Sequence, residues 1–180
     1  MKMKSFLLLA LTISAFSVFA DEVPARAELV IPQAVLDLHT KTCPEFGTED
    51  GKYLQKESFK LPGTEYTPEG STLYLLGCEM YAYNSLEKAY IVNSYETKVV
   101  AVAEVLADGS IVATTDLMGS GFDPKDNKLG TFQKGRGMGD CGSSASYVYN
   151  ARETRFVLTE ARYKDACDGE ESEWPIVYKK

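Results

Sequence analysis

Glu79 and Asp140 are the carboxylates in this chain whose convergence would suit sugar-bond hydrolysis, since most glycosidases need two acids flanking the scissile bond. With 26 acidic residues such a pair arises by abundance, and it carries little alone. A nucleophile-and-base arrangement has one candidate base, because His39 is the single histidine. It is expected as a surface or helix-end residue. Ser143 and Ser144 follow Cys141-Gly142 without an S-x-x-K context and read as turn or edge-strand serines. A multi-histidine metal site is excluded. Asp123, Asp126 and Asn127, or Asp165, Asp168 and Glu170, offer oxygen ligands, but neither set has calcium-loop spacing, and turn chemistry explains both. No metal and no cofactor is expected.

The stretch KGRGMGDCGSSASYVY, residues 134–149, gathers glycines around Arg136, Asp140 and Cys141 and then turns apolar. Its glycines alternate and run into a strand-like segment, whereas a dinucleotide fingerprint lies between a strand and a helix and a P-loop ends in G-K-[ST]. Nucleotide binding is therefore not read from it. The glycines let the chain bend sharply, present Cys141 and start a strand at Ser146. Arg136 and Asp140 either pair to hold the loop or stay free as a recognition pair.

Four cysteines, Cys43, Cys78, Cys141 and Cys167, lack the C-x-x-C spacing of structural zinc. An even count in an exported chain implies two disulfides. Of the three possible pairings, Cys43–Cys78 and Cys141–Cys167 are favoured, because each closes a moderate loop within one half of the chain. On the loop-entropy model each would stabilise by roughly 3 to 4 kcal/mol.

The elements that must hold these residues are short and β-like. TLYLLGCEMYAY, KAYIVNSYE, KVVAVAEVL, SIVATTDLM, ASYVYN and RFVLTEARY are rich in Val, Ile, Tyr and Thr, with a period nearer two than 3.6. Tyr81 with Tyr83 and Tyr147 with Tyr149 would each present two rings on one strand face, as half-buried packing or as a binding surface. Ala107-Asp108-Gly109-Ser110 reads as a two-residue hairpin and residues 122–127 as a turn cluster. GTEYTPEG, residues 63–70, reads as an exposed loop, and WPIVYKK as a last strand after an acidic loop at residues 165–173. Pro32 followed by QAVLDLHTK suggests one short helix, since proline suits the first helical position. The expected fold is mainly β, or α+β with a small helical part: an antiparallel meander-type sheet or sandwich with two disulfides.

Lys2 and Lys4 precede an apolar run ending in Val18-Phe19-Ala20, the pattern of a secretory signal peptide over residues 1–20. Residues 21–180 then form one exported domain, periplasmic or secreted, with no membrane span in the mature chain. Cleavage removes two lysines and takes the net charge from −7 to −9. That balance argues against nucleic acid and anionic membranes and leaves a basic protein open as a partner.

Leu76-Gly77-Cys78-Glu79 with Ala82-Tyr83-Asn84, then Gly121-Phe122-Asp123 with Leu129, then the block from Phe132 to Gly142, then Cys167-Asp168-Gly169 and Trp174-Pro175 resemble a bacterial exported family. That family is catalogued as domain of unknown function eleven-seventy-six. The resemblance covers residues 77–178 and implies that the glycine loop and the last cysteine pair belong to one module, with no activity attached. GFDPKDNKLGTF, followed by Cys-Gly and a Tyr-rich strand, is similar to exported lysozyme-inhibitor β-domains, which implies a basic enzyme as target.

From the sequence, the chain is a non-catalytic binding protein. Lys134, Arg136, Asp140 and Ser143, with Tyr81, Tyr83 and Asn84, are the candidate contacts to a basic protein or envelope glycan. A carboxylate-dependent hydrolase of envelope glycans and a purely structural envelope protein are the alternatives.

Overall fold

The structure, a computed structural model, describes residues 29–170 and 172–180, so the signal-peptide reading lies outside the described residues. A short helix, α1 (Gln33–His39), and a 3-10 turn (Asp50–Tyr53) precede the strands β1 (Lys56–Leu61), β2 (Ser71–Met80), β3 (Ser85–Val92) and β4 (Thr97–Val99). These four lie side by side in chain order, and β7 (Leu117–Met118) pairs with β3 beyond the end of β4. A second sheet runs in reverse chain order through β12 (Ile176–Lys179), β11 (Arg155–Lys164), β10 (Gly142–Asn150), β9 (Lys128–Lys134) and β8 (Gly121–Asp123). β5 (Val102–Val105) and β6 (Ile111–Thr114) form a separate two-stranded ribbon. Every pairing is antiparallel.

The two sheets face each other across one core. Leu73 and Leu75 of β2 and Ala89 and Ile91 of β3 meet Leu129, Tyr147, Tyr149, Phe156 and Leu158 of the second sheet. Side chains alternate across a strand, so the next residues of β2 and β3, Tyr74, Leu76, Cys78 and Tyr90, point the other way. They form a second cluster with Val35, Cys43, Phe46 and Leu54, supplied by α1 and the segment behind it. β2 is thus buried on both faces, which is why it reads as a continuous apolar run. The Cys43–Cys78 bond, with Cα atoms 4.8 Å apart, staples this cover to the strand.

Several expectations change. His39 does end α1, but it is fully buried. Its Nε2 lies 3.0 Å from the Gly77 carbonyl, which can only accept, so Nε2 carries the proton and Nδ1 accepts from the Tyr90 hydroxyl at 2.9 Å. Pro32 is the residue before the helix, its carbonyl taking the Val35 and Leu36 amides, and not the first helical residue. The 107–110 hairpin has three residues between the hydrogen-bonded Leu106 and Ser110, not two. β1, β8 and β9 escape a propensity reading, because KESFKL and GFDPKDNKLGTFQK are charged or glycine-containing and owe their strands to the neighbours they pair with. Tyr147 and Tyr149 do share a face, but they are core residues and not half-exposed.

The His39 pKa is lowered from 6.5, chiefly by burial, with the Lys88 charge adding to it and the Gly77 carbonyl opposing. The unfolded chain therefore binds that proton more readily, and the stability tied to neutral His39 is complete above pH 6.5 and lost as pH falls through the lower folded value. The melting temperature should fall between about pH 7 and pH 5, and His39→Gln should flatten that part of the profile. Identical slopes for both proteins would remove His39 from the account.

Candidate functional site

The candidate contacts cluster at one end of the sandwich, but they do different work there. β9 ends at Lys134 and β10 begins at Gly142, so the connecting loop is residues 135–141, and β10 starts four residues before the expected Ser146. The loop is closed at its base by the Gly135 amide on the Cys141 carbonyl at 2.9 Å. A Cβ at residue 135 would lie 2.8 Å from the Cys141 Sγ, so glycine is what lets the disulfide sit against the loop base.

Arg136 and Asp140 pair. The guanidinium Nε donates to Asp140 Oδ1 at 2.8 Å and Nη2 to Oδ2 at 2.5 Å, the forked geometry in which arginine holds a carboxylate best. Asp140 Oδ2 also accepts the Gly169 amide at 2.6 Å. With 2% of its surface exposed, Asp140 joins the loop to the segment carrying Cys167, alongside the Cys141–Cys167 bond. Arg136 and the Gly169 amide hold its carboxyl well below the usual carboxylate range. It is a fastener, and it stays ionised at neutral pH.

Asn84 is also a fastener. Its side-chain carbonyl accepts the Lys134 amide at 2.8 Å, and its side-chain amide donates to the Lys134 carbonyl at 2.9 Å. One side chain thus imitates a strand neighbour and docks the β2–β3 turn onto the end of β9. Tyr81 and Tyr83 belong to that turn and not to a strand: β2 ends at Met80, and the Tyr81 amide bonds the Asn84 carbonyl at 2.8 Å. Their rings therefore do not share a strand face. Tyr83 lies over the loop, where a Cβ at residue 137 would meet its ring at 2.9 Å, and 58% of it remains exposed. The Tyr81 hydroxyl donates to Glu79 at 2.9 Å.

Ser143 is set apart from these. Alternation along β10 puts it on the inner face with Ala145 and Tyr147, where it lines a crevice of about 40 Å³ with Thr131 and Glu104. That volume suits a water or two and not a sugar ring. Among the described residues, no group of three or more His, Cys, Asp or Glu side chains is placed to hold a metal.

On the outer face lies a cleft that sequence reasoning did not single out. The cross-strand row Phe132, Ser144 and Arg162 forms its floor. Trp174 stacks on Phe132 with ring centroids 5.0 Å apart and planes 14° from parallel. Met138, at the tip of the loop, is 69% exposed above it. The available signal was the lone tryptophan closing an acidic run, but nothing in the sequence linked it to Phe132 forty-two positions earlier. The Arg162 guanidinium donates to Glu160, to Glu173 and to the Trp174 carbonyl, which holds the wall in place.

Against known proteins, the chain matches the family described as protein of unknown function (DUF1176) over residues 25–180, well upstream of where the motif blocks begin. A relative in Escherichia coli (strain K12), named uncharacterized protein YpfG, is 29% identical over 116 residues, covering 61% of this chain. The match spans 33% of that relative's length. No solved structure matches.

Asn84→Ala removes two hydrogen bonds to the Lys134 backbone and should lower stability by roughly 1–3 kcal/mol in chemical denaturation with the disulfides intact. An unchanged midpoint would mean that the turn is not held through Asn84. Asp140 has a depressed carboxyl, so its contribution is complete above the ordinary value of 3.8 and is lost as pH falls through the folded value. Asp140→Asn should melt below wild type at pH 7, and the gap should narrow once the pH is below 3.8. A gap that stays constant down to strongly acidic pH would contradict the fastener role.

Proposed function

The chain belongs to the family of proteins of unknown function DUF1176, and from that premise and the loop geometry we propose that it is a non-catalytic binding protein. It acts as one exported domain, residues 21–180 after removal of a signal peptide, in the periplasm or outside the cell. The two disulfides are consistent with an oxidising, exported location. Among the described residues no helix is long and apolar enough to cross a membrane.

The observation that carries the reading is a loop fastened on three sides that still shows apolar surface to solvent. The Cys141–Cys167 bond, the Asp140 bridge and the Asn84 clamp fix the backbone, while Tyr83, Tyr81 and Met138 stay exposed. A partner then meets a preorganised surface and loses less conformational freedom on binding. The net charge of −9 left after cleavage, 17 basic against 26 acidic residues, would draw a basic protein toward it. Inhibition of a lysozyme-type enzyme is the sharpest form of this reading, and an envelope glycan is the other ligand class.

The hydrolase alternative needs Asp140 as an acid or base. Both its oxygens are engaged and it remains ionised, which disfavours general-acid work. His39 is buried with both nitrogens hydrogen-bonded, so it offers no base to Ser143 or Ser144.

The test titrates the oxidised mature protein into lysozyme-type enzymes degrading peptidoglycan, with calorimetry on the same enzymes and on soluble peptidoglycan fragments. Saturable one-to-one binding, weakened at least about tenfold (about 1.4 kcal/mol) by Tyr81→Ser with Tyr83→Ser, is expected. Release of reducing ends from peptidoglycan by the protein alone, or no binding to any of these ligands, would defeat the proposal.

A further inference from the structure

We propose that the outer-face cleft bounded by Phe132, Met138 and Trp174 seats a cationic amphipathic segment of a partner protein, with an apolar side chain in the cleft and lysine or arginine against Glu170 and Glu173. This rests on the binding reading above and moves its centre from the Tyr81–Asn84 turn to the other side of the loop.

The cleft is a shallow depression, largely open to solvent, of about 480 Å³. Its row on the second sheet is a solvent face, where Ser144, Ser146, Glu160 and Arg162 stand as alternation requires. Phe132 breaks that pattern and keeps 40% of its surface exposed even under Trp174. Methionine suits a docking surface, because its unbranched thioether adapts to the shape of what it covers. The walls are held from both sides: the disulfide and the Asp140–Gly169 bond fix the loop carrying Met138, and Arg162 fixes the segment carrying Trp174. The cleft therefore exists before any partner arrives.

The rim supplies the charge argument. From Asp165 to Glu173 the sequence carries Asp165, Asp168, Glu170, Glu171 and Glu173 without one basic residue. Of the cations beside it, Arg136 is engaged by Asp140, Arg162 by Glu160 and Glu173, and Lys164 by Asp168, while Lys134, whose side chain runs along Gly139, makes no ion pair among the described residues. Glu170 is exposed, and the Glu173 side chain is largely exposed despite its contact with Arg162. The apolar walls of Phe132, Met138 and Trp174 beside exposed carboxylates select a segment that alternates apolar and cationic side chains. A sugar would need an open aromatic face, and Trp174 has its ring stacked on Phe132 and is mostly buried.

Trp174 is the chain's single tryptophan, so its fluorescence reports on this cleft alone. The probe is the tryptophan-free peptide acetyl-Lys-Leu-Lys-Phe-Lys-amide, compared with the peptide bearing Glu in place of Lys and with chitotetraose, all against the full oxidised protein. A saturable fluorescence change with the cationic peptide alone is expected. It should weaken at least about tenfold in Met138→Ser and in Glu170→Gln/Glu173→Gln, weaken with added salt, and persist in Tyr53→Ser. No saturable change, an equal response to the anionic peptide, a response to chitotetraose only, or variants that bind as wild type while melting normally would each overturn the proposal. If lysozyme-type binding survives Met138→Ser but is lost in the Tyr81/Tyr83 variant, the cleft is wrong and the binding reading stands.

Discussion

The burial of β2 on both faces is the constraint from which the architecture follows. A strand with Leu73 and Leu75 on one side and Tyr74, Leu76 and Cys78 on the other cannot lie on a solvated sheet edge or face. One side is met by the second sheet and the other by α1 and the chain behind it. The short helix would be marginal alone, and it persists because Val35 and His39 are sealed against the sheet and Cys43 is bonded to the strand it covers.

Packing satisfies the centre of the sandwich, and polar fastening takes over at its end. Toward the 135–141 loop the facing residues give way to Thr131, Gln133 and Ser143, which cannot hold two sheets together by burial. There the work passes to a disulfide, a bridging carboxylate and a side-chain amide. Each joins segments far apart in sequence: Cys141 to Cys167, Asp140 to Gly169, and Asn84 to Lys134. The result is a stiff end carrying exposed side chains, the arrangement a binding surface requires and one that surface packing alone would not maintain.

The charges follow the same division of labour. Arg136, Lys164 and Arg162 are each turned inward to order a loop, by Asp140, by Asp168 with the Glu170 carbonyl and Ser172, and by Glu160 with Glu173. Glu170 and Glu173 remain outward beside them. The polarity of the exposed surface is therefore a consequence of how the loops are tied, as much as of overall composition.

The class of fold was legible in advance, since period-two runs of Val, Ile, Tyr and Thr with tight turns leave an antiparallel meander as the simple solution. The disulfide pairing was legible too, because pairing within each half keeps the closed loops moderate. The strands β1, β8 and β9 were not, as Lys56-Glu57-Ser58 and Lys128-Leu129-Gly130 have weak intrinsic preference and are ordered by the partner whose hydrogen bonds they complete. The seven candidate contacts were chosen by residue type, and type cannot say where a side chain's partners lie. Asn84 and Asp140 became fasteners and Ser143 turned inward, while Phe132, Met138 and Trp174 came together unannounced. Local patterning decides what is governed by nearest neighbours, which is strand and turn. Which polar groups are consumed in holding the molecule and which stay free depends on contacts across tens of residues, and only tertiary packing decides it.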